Sequence, residues 1–507
     1  MKKVLLMTVL AVCFLLNGQM EEYHRKSISV FKLDVGDGAL SATRQDIGLI
    51  YDMTFEKFTG MGRFDYNPIP AGVTDPAELF EIVKEYTSTK IEERAAKQWD
   101  IRNEYYGTNF VTGENVNRII DGAFIFFPTL ETFVVNKRRD SDDFNASLSM
   151  ILEVYSAENT GTVEDPEWEP KLVTTVRASG SNAMGSLFDF NLTGQQKDKR
   201  YEAVKSATNS MLLFLEREVR KIDDFMIRAL VTKAEPNRDR ISFNFGKNVG
   251  VNLDDAYRIG YFERDDRRGQ RFVETGFMKV RRIRQNESDA QLLIVTNPRK
   301  EKESSLFNEY DQVYEYPQVG LNIFVYGGAA SFRHWRDTDL SNLGQDEELI
   351  SPSFGISAEY NVAKFIGISE LYLNASADLL AADIGTYDSR EFETTAAVLE
   401  FGITKKFFKR RLAYYFGLCG GYMNLTFNEN EEENNYFAVG GKFMAGINYM
   451  LGKNWLFDAG VAFRGYSELM NEDGEEVIPG ILGSQHQGEG WLTPTGIVVR
   501  AGLGFTL

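Results

Sequence analysis

Sulfur and imidazole are scarce in this chain, with 2 cysteines and 3 histidines in 507 residues. That excludes a disulfide framework and leaves almost no material for Cys/His metal sites. An excess of positive charge is missing as well. With 56 Lys and Arg against 74 Asp and Glu, the formal charge is −18, which argues against a chain that engages nucleic acid over much of its surface. Past residue 20 no charge-free apolar run reaches helix-spanning length, and the mean hydropathy is −0.30. A polytopic helical membrane protein is thereby excluded, whereas a β-barrel is not, because its strands are only half apolar. Nucleophile elbows, zinc-ligand pairs, phosphate loops and dinucleotide fingerprints are also missing, so no enzyme activity, metal or cofactor is expected. Gly36-Asp37-Gly38 lacks phosphate-loop spacing and reads as a turn, and His24, His334 and His486 are too scattered for a joint site.

What is present begins with an address. Met1-Lys2-Lys3, the apolar run Val4 to Leu16 and then Asn17-Gly18-Gln19 follow the charged, apolar, small-polar order of a secretory signal over residues 1–18. Leu10-Ala11-Val12-Cys13 outlines a lipoprotein box as the alternative. Cleavage near Gly18 would leave Cys419 as the only cysteine. The remaining length suits about three domains at about 150 residues each.

Residues 27–232 read as a mixed α/β domain. Ser27 to Asp34 alternates like a strand, Ser41 opens a segment with Ile47, Ile50, Tyr51, Thr54, Phe55 and Phe58 at helical spacing, and Gly62 to Tyr66 reads as a second strand. Asp75-Pro76-Ala77-Glu78 carries the signals of a helix start. Strands are expected at Asp121 to Val135, Ala146 to Tyr155 and Lys171 to Ser179. A long helix with Tyr201, Val204, Thr208, Met211, Leu215 and Val219 on one face follows, then a last strand at Met226 to Val231. The opening strand, the helix ending in Gly62-Arg63-Phe64, the start at Asp121-Gly122-Ala123, the close on Thr160-Gly161 and the late helix together resemble the periplasmic domain of the curli secretion channel family (CsgG-like) and the middle domain of the flagellar assembly protein FlgT. The paired amphipathic hairpins with which the channel family builds a shared pore are not seen, so the resemblance implies a periplasmic α/β domain without implying export.

Residues 235–315 read as a small β module of short strands and glycine turns, from Ile241 to Gly246, through Gly250-Val251 and Asp254 to Ile259, to Gly276 to Val280 and Ser288 to Leu292. It resembles the small C-terminal barrel of the flagellar assembly protein, with Asp254-Asp255 standing where that family more often has Gly-Asp. Arg264, Arg267, Arg268, Arg271, Lys279, Arg281, Arg282 and Arg284 cluster here against the acidic background. They are read either as a patch for an anionic partner or as a solvated hairpin beside its own acids.

Residues 317–507 alternate in long segments rich in Gly, Ala, Tyr and Phe. Eight are expected near 319–331, 350–362, 368–381, 394–406, 412–427, 436–450, 455–467 and 491–507, with tight turns alternating with longer acidic connections. This is the pattern of an eight-stranded antiparallel transmembrane β-barrel, and an even strand count places everything before residue 317 on the turn side. Glu359, Asp378, Glu400, Lys442, Asp458, Arg464 and Arg500 fall on the set opposite the apolar one and are expected in the lumen. Eight strands leave an interior that side chains can fill, so these charges should pair and plug it. Aromatics cluster toward the strand ends, with Trp335, Phe392, Phe427, Tyr436, Tyr466 and Trp491 at the outer end and Tyr360, Phe407, Phe408, Tyr449, Trp455 and Phe505 at the inner. The closing segment, with Arg500, Gly502, Phe505 and Leu507, resembles the β-signal that barrel assembly machinery recognises.

The expectation is a multidomain protein of the bacterial outer membrane, with residues 19–316 in the periplasm. It would act as a non-enzymatic adaptor or scaffold for an envelope assembly, secretion or appendage complex. Its partners would be outer-membrane lipid, the assembly machinery during biogenesis and a periplasmic protein or the cell wall, and not nucleic acid. The alternative is a transport or export component whose periplasmic domain forms a homo-oligomer.

Overall fold

The computed structural model describes residues 23–69, 73, 78, 79, 81, 98–103, 107–112, 124–139, 141–162, 168–185, 198–265, 269–296, 307–336, 345–387, 390–429, 432–467, 491–493 and 496–507. The expected signal at 1–18 and the helix start at Asp75 to Ala77 lie outside these residues. No described helix is long and apolar enough to cross a membrane.

The first unit contains β1 (Lys26–Val30), β2 (Asp34–Gly38), α1 (Arg44–Gly60), β3 (Phe64–Tyr66), the hairpin β4 (Gln98–Asn103) and β5 (Gly107–Thr112), then β6 (Phe124–Lys137), β7 (Phe144–Asn159), β8 (Trp168–Ser181) and α2 (Lys199–Arg220). Its main sheet runs β3-β1-β6-β7-β8, with β2 also on β6. Strands β1 and β3 are parallel and β6 to β8 antiparallel. Helix α1 starts at a capping box: Thr43 Oγ1 accepts from Asp46 N, and the Asp46 carboxylate accepts from Thr43 N at 2.9 Å. Arg200 in the first turn of α2 grips the same carboxylate at 2.8 and 2.7 Å, which clamps the two helix starts together. Both helices lay apolar faces on one side of the sheet, where Ile50, Phe58, Val204, Met211 and Leu215 meet Phe126, Met150 and Leu152 in one core. Phe58, Phe64 and Phe225 each pack on Phe126 with ring centroids 4.9 to 5.6 Å apart. Each such ring contributes roughly 1.5–3 kcal/mol by burial.

The second unit is a small closed barrel of β9 (Arg228–Glu235), β10 (Arg240–Phe243), β11 (Ala256–Asp265), β12 (Gly269–Ile283), β13 (Ser288–Val295) and β14 (Gln312–Glu315), in the order β10-β13-β12-β11-β14-β9. Strand β9 pairs with β10 and β14, so the last strand that the sequence assigns to the α/β domain belongs to this barrel. Its alternation alone could not say which sheet it joins. Tyr23 is buried in this barrel's core and donates from its hydroxyl to the Arg63 carbonyl.

The third unit is β15 (Leu321–Arg336), β16 (Gln345–Asn361), β17 (Leu371–Tyr387), β18 (Arg390–Lys409), β19 (Leu412–Glu429), β20 (Glu432–Met450), β21 (Trp455–Tyr466), β22 (Trp491–Thr493) and β23 (Gly496–Thr506). The sheet is antiparallel throughout and closes through β15, which pairs with β16 on one side and with β23, then β22, end to end on the other. The wall therefore has the eight expected staves. Two of the connections read as long are instead tight hairpins, because β17 and β18 pair out to Tyr387↔Arg390 and β19 and β20 out to Glu429↔Glu432. Those extensions mix charged and polar residues with a few apolar ones, so no sustained apolar alternation marks them in the sequence.

Candidate functional site: a filled lumen and two charged joints

Period-two geometry sends one set of side chains outward. Val325, Phe354, Leu379, Phe401, Leu418 and Phe443 are 54 to 66 % exposed on the outer wall, an apolar belt that water does not favour. Phe407, Tyr449 and Trp455 stand at its inner edge as expected. Tyr360 and Tyr466 do not join a girdle. Tyr360 is covered by Leu213 and Phe214 of α2, which lies against the foot of the barrel, and Tyr466 turns inward and donates to Glu400 at 2.9 Å. The side chains of Trp335, Phe392, Phe427, Tyr436 and Trp491 lie outside the described residues.

The opposite set fills the lumen. Glu359, Asp378, Glu400, Lys442, Asp458, Arg464 and Arg500 are all buried there. Glu400 binds Lys442 and lies 3.3 Å from Arg464, which also pairs with Asp378. Arg500 Nε lies 3.2 Å from Asp458, whose other oxygen accepts from Asn448 at 2.6 Å, and the guanidinium stacks 4.6 Å over Tyr326. Glu359 binds Lys406. Lys406 is not among the lumen residues expected from the sequence, although its even position in the strand of Glu400 places it on the inward set. With it, four carboxylates face four cations among the described lumen residues, and their charges balance. Toward the outer end Val398, Met423, Leu425 and Ala438 pack with neighbours into one buried apolar cluster.

The closing residues behave as one seam. Arg500 and Gly502 face inward, and a Cβ on Gly502 would lie 2.6 Å from Tyr326 Cβ, so only glycine lets that ring cross the lumen. Phe505 stacks edge-on against Trp455 with centroids 5.1 Å apart. The Leu507 carbonyl accepts from Val319 N at 2.7 Å and Leu507 N donates to Leu321 O at 2.9 Å, which ties the last residue to the first stave.

The small barrel stoppers the inner mouth. Its Ala256, Phe277, Leu293 and Ile294 form one core with the large barrel's Phe324, Tyr326, Met450 and Leu456. Around this plug, Lys453 holds Glu274 at 2.5 Å, Tyr316 donates to Asn454 at 2.9 Å, and Gln291 donates to the Phe408 carbonyl at 3.0 Å. Among the described residues, this docking splits the cationic cluster of the β module. Arg281 is half-buried and pairs with Asp254 at 2.6 Å and Glu370 at 2.5 Å, and Lys279 lies 3.5 Å from Glu370. Arg284 pairs with Glu287 and Asp289, while Arg271 and Arg282 are exposed. Arg267, Arg268 and the Arg264 side chain lie outside the described residues.

Asp254 and Asp255 separate two joints. Asp254 has a left-handed backbone, φ 63°, a conformation that glycine adopts most readily. Its carboxylate accepts from Asn361, Ser369 and Glu370 N on the barrel's first inner turn. Asp255 instead pairs with Arg220 of α2 at 2.8 Å. Arg220 and Arg63, from the Gly62-Arg63-Phe64 motif, converge on Glu315, with Arg63 forked onto it at 2.9 and 3.0 Å and 1 % exposed. Burial by itself would raise the Glu315 carboxyl, but Arg220 and Arg63 outweigh it and hold it down at about 2. Asp255 is pushed up by burial despite Arg220.

Among the described residues no His, Cys, Asp and Glu group is arranged to hold a metal ion. No family model matches the chain. No curated protein matches it either. Similar solved structures include the neisserial surface protein NspA (15 % identity, TM-score 0.25, covering 36 % of this chain and 97 % of that one). Others are Ail of Yersinia pestis (12 %, 0.22, 37 % and 98 %) and the outer membrane protein OprG of Pseudomonas aeruginosa (15 %, 0.24, 37 % and 95 %). The barrel's closure and the direction of its side chains rest on its own strand pairing and burial, not on these likenesses.

Proposed function

We propose that this chain is an outer-membrane anchor carrying a periplasmic adaptor, and that it is not an enzyme. The observation that carries the reading is the charge-balanced, cross-linked lumen with a second barrel seated in its mouth. A path for solute would have to break buried ion pairs and displace the plug. The apolar belt fits a bilayer, and short inner turns docked on the β module fit a periplasmic position for residues 19–316. The CsgG-like and FlgT-like resemblance of the α/β domain and β module supports a scaffold for an envelope assembly, secretion or appendage complex, partnered by a periplasmic protein or the cell wall. The test pairs a measurement on detergent-purified full-length protein with one in cells. Planar-bilayer recording should give no steady conductance, and cross-linking in intact cells should capture a periplasmic partner through residues before 228. A steady conductance would overturn the anchor reading, and capture only through the barrel would overturn the adaptor.

A further inference from the structure

Where α1, α2, the small barrel and the first inner turn meet, a cleft of about 810 Å³ opens to solvent. It adjoins an inner cavity of about 50 Å³, and Glu216, Asn252, Leu253 and Lys364 line both. The walls carry seven cationic side chains against four carboxylates, in a chain whose net charge is −18. Several are already engaged: Arg63 with Glu315, Lys279 with Glu370, Lys57 with Glu216. Lys364 sits 5.0 Å over the Phe365 ring, and its charge helps hold the Glu216 carboxyl down, yet it, Arg217 and Lys247 are not saturated by ion pairs. Arg217 has a buried Nε without a hydrogen-bond partner and lies 3.8 Å from its nearest carboxylate, and neither Lys247 nor Lys364 has an ion-pair partner within 4 Å among the described residues.

Beside these cations the cleft is greasy. Phe365 and Ile366 on its wall are 68 and 54 % exposed. Leu213 lines the inner cavity and also belongs to the cluster that rests on the foot of the barrel wall, with Phe214, Tyr360 and Leu371. A cationic recess with an apolar lip, continuous with the outer wall of the barrel, is complementary to an anionic amphiphile. We infer that the cleft binds an anionic phospholipid, its phosphate held by Arg217 and Lys364 and its chain laid along Phe365 and Ile366. The site draws on the outer-membrane reading only for the source of that lipid.

The test uses full-length protein in detergent, titrated with phosphatidylglycerol, phosphatidylcholine or inorganic phosphate and read by native mass spectrometry. Phosphatidylglycerol should bind at least tenfold more tightly than phosphatidylcholine. Lys364→Glu combined with Arg217→Gln should remove that preference, and Phe365→Ser should weaken the lipid without changing competition by phosphate. Arg271→Glu, outside the cleft, should change nothing. Lys364→Glu alone serves should the double variant fold poorly, and heat-modifiable migration checks each barrel. Unchanged phosphatidylglycerol preference in a heat-modifiable Lys364→Glu variant would overturn the site, as would binding of inorganic phosphate alone. Loss of heat-modifiable migration in the parent would instead count against the membrane reading.

Discussion

Replacing Arg500 with methionine isolates the energetics of the lumen. The pair is almost dry, with side-chain exposures of 8 % for Arg500 and 4 % for Asp458, so bulk water screens little of the attraction. After the replacement, the Asp458 carboxylate would keep neutral side-chain donors, Asn448 at 2.6 Å among them, but no cation within 4 Å among the described residues. Leaving one member of a buried pair uncompensated costs about 3–5 kcal/mol, and losing the cation over Tyr326 adds about 1 kcal/mol. Replacing Asp458 with asparagine in the same chain removes the stranded charge, and should recover most of the loss as a coupling of about 3 kcal/mol in a double-mutant cycle. The assay is urea unfolding of purified, refolded protein in micelles, followed by tryptophan fluorescence and gel mobility. Using refolded protein keeps the place of Arg500 in the closing segment from confusing stability with cellular assembly. A loss below about 1 kcal/mol for Arg500→Met would refute the reasoning, because it would mean that solvent reaches Asp458 and that the lumen is open.

Three further outcomes follow from the joints. Glu315 falls from its ordinary 4.5 to about 2, so its contribution is complete above about pH 4.5 and is lost as pH drops toward 2, worth about 3 kcal/mol at ~1.4 kcal/mol per pH unit. Denaturant titrations at pH 7, 4 and 2.5 should show that acid loss, with Asp255 working in the opposite sense, and Glu315→Gln should flatten it. Gly250 has φ 77°, and a Cβ there would strike the Met61 carbonyl, so Gly250→Ala should cost about 1–3 kcal/mol in the same titration, whereas Gly48→Ala, with open space around it, should cost nothing. Residues 19–316 expressed alone should fold, with native-like circular dichroism, but should self-associate in sedimentation through the uncovered Phe277, Leu293 and Ile294. A monodisperse fragment would argue against the plug.

Much of the large barrel was legible because a wall between lipid and lumen imposes strict alternation on every stave. The inward set Glu400, Lys442, Asp458, Arg464 and Arg500 could be read from that period alone. Lys406 was missed because a run of cations at 405, 406 and 409–411 looks uniform, although only position 406 among them carries its charge inside. The joints were not legible, for a different reason. Arg63 and Glu315 are 252 residues apart, and neither carries a local pattern that predicts the other. Arg281 likewise reads as one more exposed arginine until Asp254 and Glu370 are brought to it by docking. Local periodicity reports on the face of an element, not on which domain will cover it. Helix α1 is a smaller instance: the sequence opens it at Ser41, but the reciprocal bonds of Thr43 and Asp46 set its start.

Asp254 and Asp255 are covalent neighbours, yet one holds the barrel's first turn and the other holds α2. A pull on the α/β domain therefore passes from α2 to the large barrel across a single peptide unit, beside the direct packing of α2 on the barrel's foot, with no slack linker to absorb it. The large barrel is braced against that load by a plug inside its mouth and by a helix along its foot. Tension or torque applied to the α/β domain would thus reach the large barrel as a tilt of the whole body, not as a stretch between domains.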